Sequence, residues 1–158
     1  MVMTNTTQHW SIGKLTGCQE SRDWALTQPT WEAAWANCER GDWMLHYIGR
    51  HITEQGGPEH CKLILAVVAC GRLALPFAGG QQNKLSVIWN ELERWGNGED
   101  VDLDKLARDT EAAGAAAWAA EAARAAAWAA AGAAMLKQCA IEVRRFYPVA
   151  PVFTQEEV

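Results

Sequence analysis

From Ala112 to Ala134 the chain reads AAGAAAWAAEAARAAAWAAAGAA, and few folds can use such a run. Alanine is the best helix former, so the segment is expected to be helical. Its narrow surface lets neighbours approach closer than the roughly 8–10 Å usual for bulky contacts. Asp102 stands in front as an N-cap and Pro148 behind as a stop, which predicts one long helix from Leu103 to about Tyr147. At about 100° per residue, Leu103, Trp118, Trp128, Cys139, Val143 and Phe146 fall on one broad side. Each tryptophan on so slim a rod acts as a wedge that removes roughly 150–250 Å² from water when buried. Gly114 and Gly132 either bend the helix or admit a close neighbour.

Glu121 and Arg124 interrupt the alanines three residues apart, near enough for a local pair. Two readings follow. In one, Glu121 is neutralised by Arg124 or by Arg72 of a neighbouring helix, as buried charges nearly always are. In the other, Arg72 and Glu121 line a polar cavity that holds a ligand.

The rest of the chain is also patterned for helices, with no useful β-type alternation. CQESRDWALTQ reads as a short helix closed at Gln28-Pro29, and Pro29 suits the first turn of the next, TWEAAWANCER. There Trp31, Ala34, Trp35 and Cys38 share a face. Gly41 reads as the stop of that helix and Asp42 as the N-cap of WMLHYIGRHI. Gly56-Gly57-Pro58 breaks the chain before a helix to about Leu75 that is apolar nearly all round, as the centre of a bundle must be. NKLSVIWNELERW then carries a stripe of Leu85, Ile88, Trp89, Leu92 and Trp95. These patterns predict an all-α, single-domain bundle of about six helices over 18–148, ending in the long Ala-rich helix. A flexible lead over 1–17 and an extended acidic tail over 149–158 flank it.

Composition narrows the setting. A chain of 158 residues, 49% hydrophobic and 21% charged, suits one core. A net charge of −5 with no Lys/Arg-rich run argues against a surface for duplex nucleic acid. The five cysteines form no CxxC pair and fall in helical patterns, so reduced, buried thiols are expected. MVMTNTTQHW has no export signal. LILAVVACGRLALPF is too short to span a bilayer and carries Arg72. The expected place is the cytosol of a bacterial host, away from any membrane.

The segments CERGDWMLHYIGRHI, LAVVACGRLALPF, LSVIWNELERWGNGE and the helix ending CAIEVRRFYP resemble a helical, alanine- and tryptophan-rich family of immunity proteins found in bacteria and tailed phages. The resemblance covers Ser21 to Pro148. It implies a helical bundle with a non-enzymatic role in conflict between bacteria, phages or toxins, and it implies no catalytic residues.

The residues themselves offer little catalytic chemistry. The chain has no phosphate loop and no GxSxG elbow. His46 and His51 are spaced off a common helix face, and His60-Cys61 is an isolated pair against the four ligands that zinc needs. No enzyme activity, metal or cofactor is expected. Tryptophan is the distinctive resource: nine, against two tyrosines and three phenylalanines. Indole rings stack on nucleobases and guanidiniums grip phosphate. The candidate ligand-binding residues are therefore Trp43, Arg50, Arg72, Arg94, Trp95 and Trp118, with Glu121. The structural alternative is that the tryptophans are core and the arginines face water. The expected function is that of a phage-type counter-defence protein, which sequesters a small nucleotide-derived immune signal of the cyclic oligonucleotide or cyclic ADP-ribose type without catalysis. The alternative is an immunity or inhibitor protein whose acidic balance suits a basic partner, a toxin or a host defence protein. Slender alanine surfaces also suit a homo-oligomer.

Overall fold

The computed structural model describes residues 18–52, 54, 56–77, 79–109 and 125–152. All regular structure among them is helical. The order is α1 (Gln19–Leu26), α2 (Trp31–Asn37), α3 (Gly41–His51), α4 (Pro58–Ala74), α5 (Gln82–Gly96), α6 (103–109) and α7 (Ala125–Phe146), with 3-10 turns at Leu75–Phe77 and Gly79–Gln81 between α4 and α5.

Local chemistry sets most of these boundaries. Thr30 caps α2 by accepting the Ala33 N–H at 3.1 Å, so Pro29 lies just outside the helix rather than in its first turn. Pro58 opens α4 at a position where its missing N–H costs nothing. Asp102 accepts the Lys105 N–H at 2.8 Å, the cap expected from the sequence. Of the predicted long helix, 103–109 and Ala125–Phe146 are helical. The stretch between them, with Gly114, Trp118 and Glu121, lies outside the described residues.

α4 occupies the middle, against α3, α5 and α7. Its Leu63, Ala66 and Cys70 join Trp35, Met44 and Ile48 from the preceding helices and Ala140 and Val143 from α7 in the main core. A smaller cluster pairs Ile88 of α5 with Leu106 of α6. Leu103, assigned to the buried stripe by periodicity, is 46% exposed. The buried residue of α6 is instead Leu106, which packs with Ile88.

Gly41 does not stop α2; it opens α3, in the position where α3 crosses α7. A Cβ there would lie 2.5 Å from Cys139 Cβ and 2.6 Å from the Ala140 backbone nitrogen. Asp42 accordingly sits in the first turn of α3 rather than at its N-cap, which is Arg40. α2 needs no glycine because its last carbonyls are taken by a side chain from α7: Arg144 Nη1 donates to Trp35 O at 3.0 Å and to Cys38 O at 2.8 Å. A second close approach seats the Trp89 ring of α5 on Gly71 of α4, where a Cβ would overlap the indole.

The chain after α7 returns across α2. Tyr147 and Ala150 are buried. Tyr147 O accepts from Trp35 Nε1 at 2.9 Å and Pro151 O accepts from Trp31 Nε1 at 3.0 Å. The described part of the tail is thus fastened to the bundle. The thiols divide: Cys38, Cys70 and Cys139 are buried as expected, whereas Cys61 is half-buried and Cys18 exposed, and all are free.

Candidate functional site

α1, α2 and α3 enclose a cavity of about 410 Å³, within the range of small-molecule sites. Each helix brings aromatic rings to it: Trp24 from α1, Trp31 and Trp35 from α2, Trp43 and Tyr47 from α3. The pairs on α2 and α3 are spaced i, i+4, which puts both rings of each pair on one helix face. Trp24 and Trp43 lie 5.9 Å apart, Trp31 and Trp35 5.8 Å, and Trp31 and Tyr47 4.7 Å, all tilted. Two of these rings are fixed through their indole N–H groups, bonded to the returning C-terminal segment. The cavity therefore has a wall oriented in advance.

Polar groups are few: Ser21 on α1, His46 on α3, and a charged pair at the start of α3. Arg40 lies over the Trp43 ring, 4.3 Å from its centroid. Its guanidinium donates to both carboxylate oxygens of Asp42, Nε to Oδ1 at 2.9 Å and Nη2 to Oδ2 at 2.7 Å, with Glu20 at 3.7 Å on the other side. Burial pushes the Asp42 carboxyl up, but the hydrogen bonds and charge of Arg40 outweigh it and hold the group below its ordinary value. Cys38 closes part of the wall, and burial raises its thiol. Cys18 stands exposed at the edge, its thiol lowered by hydrogen bonding to Ser21.

Of the residues expected to form one site, those described do not all meet. Trp43 lines the cavity. Arg50 is exposed in the last turn of α3 and forms no part of the wall. Arg72 reaches from α4 to α5, donating to Glu93 Oε2 at 2.5 Å and to Asn90 Oδ1 at 2.9 Å. Arg94 stays on the surface of α5 between Glu91 at 3.1 Å and Glu99 at 2.8 Å. Trp95 meets the His60 ring edge-on at 5.2 Å. Arg72, Arg94 and Trp95 therefore belong to the α4–α5 side, each with its own partner, and an interior hollow lined by those arginines is not what forms. An acidic chain has carboxylates in excess, and these two guanidiniums are taken by them. Trp118 and Glu121 lie outside the described residues.

The wall residues that sequence reasoning passed over are Trp24, Trp31, Trp35, Tyr47, Arg40 and Asp42. The sequence places Trp31 and Trp35 on one helix face with Ala34 and Cys38; in the structure Trp35 is 3% exposed and lines the cavity. Among the described residues no cluster of histidine, cysteine or acidic side chains is arranged for a metal, and no helix is long and apolar enough to cross a membrane. No protein-family model, no curated protein and no solved structure matches the chain.

Proposed function

We propose that this chain is a non-catalytic binding protein that sequesters a small nucleotide-derived molecule, taking its flat aromatic base into the α1–α3 cavity. The observation that carries this reading is the convergence of rings from all three helices on one cavity of about 410 Å³. Stacking of a base on an aromatic side chain contributes about 1–3 kcal/mol, and a wall held in place beforehand spares part of the ordering cost of binding. The reading moves the site from the α4–α5 arginines to the cavity beside Trp43. In a phage-type counter-defence role, such capture removes an immune signal from the host cytosol stoichiometrically, with no turnover.

The test is calorimetry and tryptophan fluorescence with a panel of cyclic oligonucleotides, cyclic ADP-ribose derivatives and simple nucleosides. Saturable heat, indole quenching and recovery of the unaltered ligand after heat denaturation are expected. A panel without heat or quenching, together with capture of a basic protein by the same preparation, would move the assignment to an inhibitor of a toxin or defence enzyme.

A further inference from the structure

The charge arrangement of the cavity bears on which part of a ligand it can hold. Among the described residues its wall contains a single guanidinium, Arg40, and that group is already engaged. Asp42 takes it in a two-pronged pair, Glu20 approaches it at 3.7 Å, and the Trp43 face lies beneath it. Its side chain is 35% exposed and that of Asp42 43%, so the pair stands at the opening rather than in the depth. A phosphate entering here would meet Asp42 and Glu20 along with Arg40. It would have to separate a charge-assisted bidentate bond, the strong kind, to gain another of the same type. Apart from the Ser21 hydroxyl and the His46 imidazole, the rest of the lining is mostly indole, phenol, alkyl and sulfur groups, which return little to an anion for its water.

We infer that the α1–α3 cavity recognises the uncharged base-and-sugar part of its ligand, a nucleoside, and leaves any phosphate outside in water. This rests on the proposed binding function and specifies its ligand class. It makes Asp42 the residue that sets selectivity, because it neutralises the one guanidinium of the wall. Release of Arg40 from Asp42 turns the same cavity towards nucleotides.

The experiment is calorimetric titration of the full chain with adenosine and guanosine and with their 5′-monophosphates, at low and high salt, repeated on Asp42→Asn. In the wild type each nucleoside binds at least as tightly as its monophosphate, and affinity changes by no more than about twofold with salt, since no exposed ion pair to the ligand is there to be screened. In Asp42→Asn the preference shifts towards the monophosphate by about tenfold, the effect of one unit charge gaining an opposite charge at a partly exposed site. Monophosphates bound more than about tenfold tighter by the wild type, with steep salt dependence, would overturn the inference and leave the cavity as a nucleotide site. An unchanged preference in Asp42→Asn, in a variant whose circular dichroism matches the wild type, would overturn the selectivity role of Asp42. If neither nucleosides nor monophosphates bind or quench, the binding function fails, and the inference with it.

Discussion

The indole N–H of Trp35 donates to the carbonyl oxygen of Tyr147 at 2.9 Å, across 112 residues of chain. One bond thus joins the wall of the cavity to the end of α7. Three residues before Tyr147, Arg144 returns the connection by holding the carbonyls of Trp35 and Cys38. Helix α2, too short to be stable alone, is fixed at its C-terminus by a helix from the far end of the sequence. The shape of the cavity depends on that reciprocal pair.

Arg144→Ala leaves the carbonyls of Trp35 and of Cys38, the C-cap of α2, without their charged donor. A hydrogen bond to a charged group contributes about 1.5–3 kcal/mol, so a loss of about 2 kcal/mol is expected, read as a lower urea midpoint with an unchanged slope. The variant should also weaken binding in the cavity, because Trp31 and Trp35 are carried by α2. A stability equal to wild type would show that α2 is held by packing alone.

Two glycines of α3 should respond oppositely to alanine. At Gly41 the new Cβ meets Cys139 and the Ala140 backbone within 2.7 Å, and overpacking of this kind costs about 1–3 kcal/mol. At Gly49 the nearest atom that a Cβ would meet outside the backbone of its own helix is Leu63 Cδ2, at 3.7 Å. Gly49→Ala should therefore be neutral or gain up to about 1 kcal/mol from helix propensity. Thermal melts of the two variants, side by side, check the α3–α7 crossing.

The contrast between these glycines also shows what the sequence could and could not disclose. Apolar periodicity placed α2 to α5 and identified α4 as central, and the Asp102 cap was legible because its partner, Lys105, is three residues away. Arg94 was instead expected to bind a ligand, although Glu91, three residues before it, and Glu99, five after, take it. Gly41 was not: a glycine after a helix reads equally as a stop or as a point of contact, and what decides is Cys139, far along the chain. Arg72 was expected either to neutralise Glu121, with Arg124 as the alternative, or to line a cavity with it; Glu121 lies outside the described residues, and the partner that the α4–α5 register brings to Arg72 is Glu93. The cavity was hidden for a related reason. The Trp31–Trp35 face announces burial, but whether three aromatic faces close on each other or leave a space is set by how the helices cross.

The cysteines should react in a fixed order. Hydrogen bonding to Ser21 lowers the exposed Cys18 thiol, so its thiolate is populated at lower pH than an ordinary thiol's. Burial raises Cys38, and the hydrogen-bonded Cys139 together with burial raises Cys70. Iodoacetamide at neutral pH, followed by peptide mass mapping, should mark Cys18 first and leave Cys38 and Cys70 unlabelled until denaturant is added. Early labelling of Cys38 would contradict its burial in the folded chain.

The Arg40–Asp42 pair gives stability a defined pH dependence. Asp42 is held below its ordinary value, so the folded state binds the proton less readily than the unfolded one. Its contribution is present above the unfolded carboxylate value of about 3.9 and is lost as pH falls through the lower folded value. Because the pair is partly exposed, about 0.5–1 kcal/mol is expected. Wild type and Asp42→Asn should differ by that amount at pH 7 and converge at about pH 2, as measured by urea unfolding across the range.

The most direct measurement is the affinity of wild type, Trp24→Ala and Trp43→Ala for adenosine by calorimetry, with circular dichroism to verify that each variant is folded. One molecule bound per wild-type chain is expected, with indole quenching. Each substitution should weaken binding by at least about fivefold, the lower bound for one lost stacking contact. Folded variants that bind as well as wild type, or a wild type that binds nothing in the nucleoside and nucleotide panel, would contradict a ligand held among the rings of α1, α2 and α3.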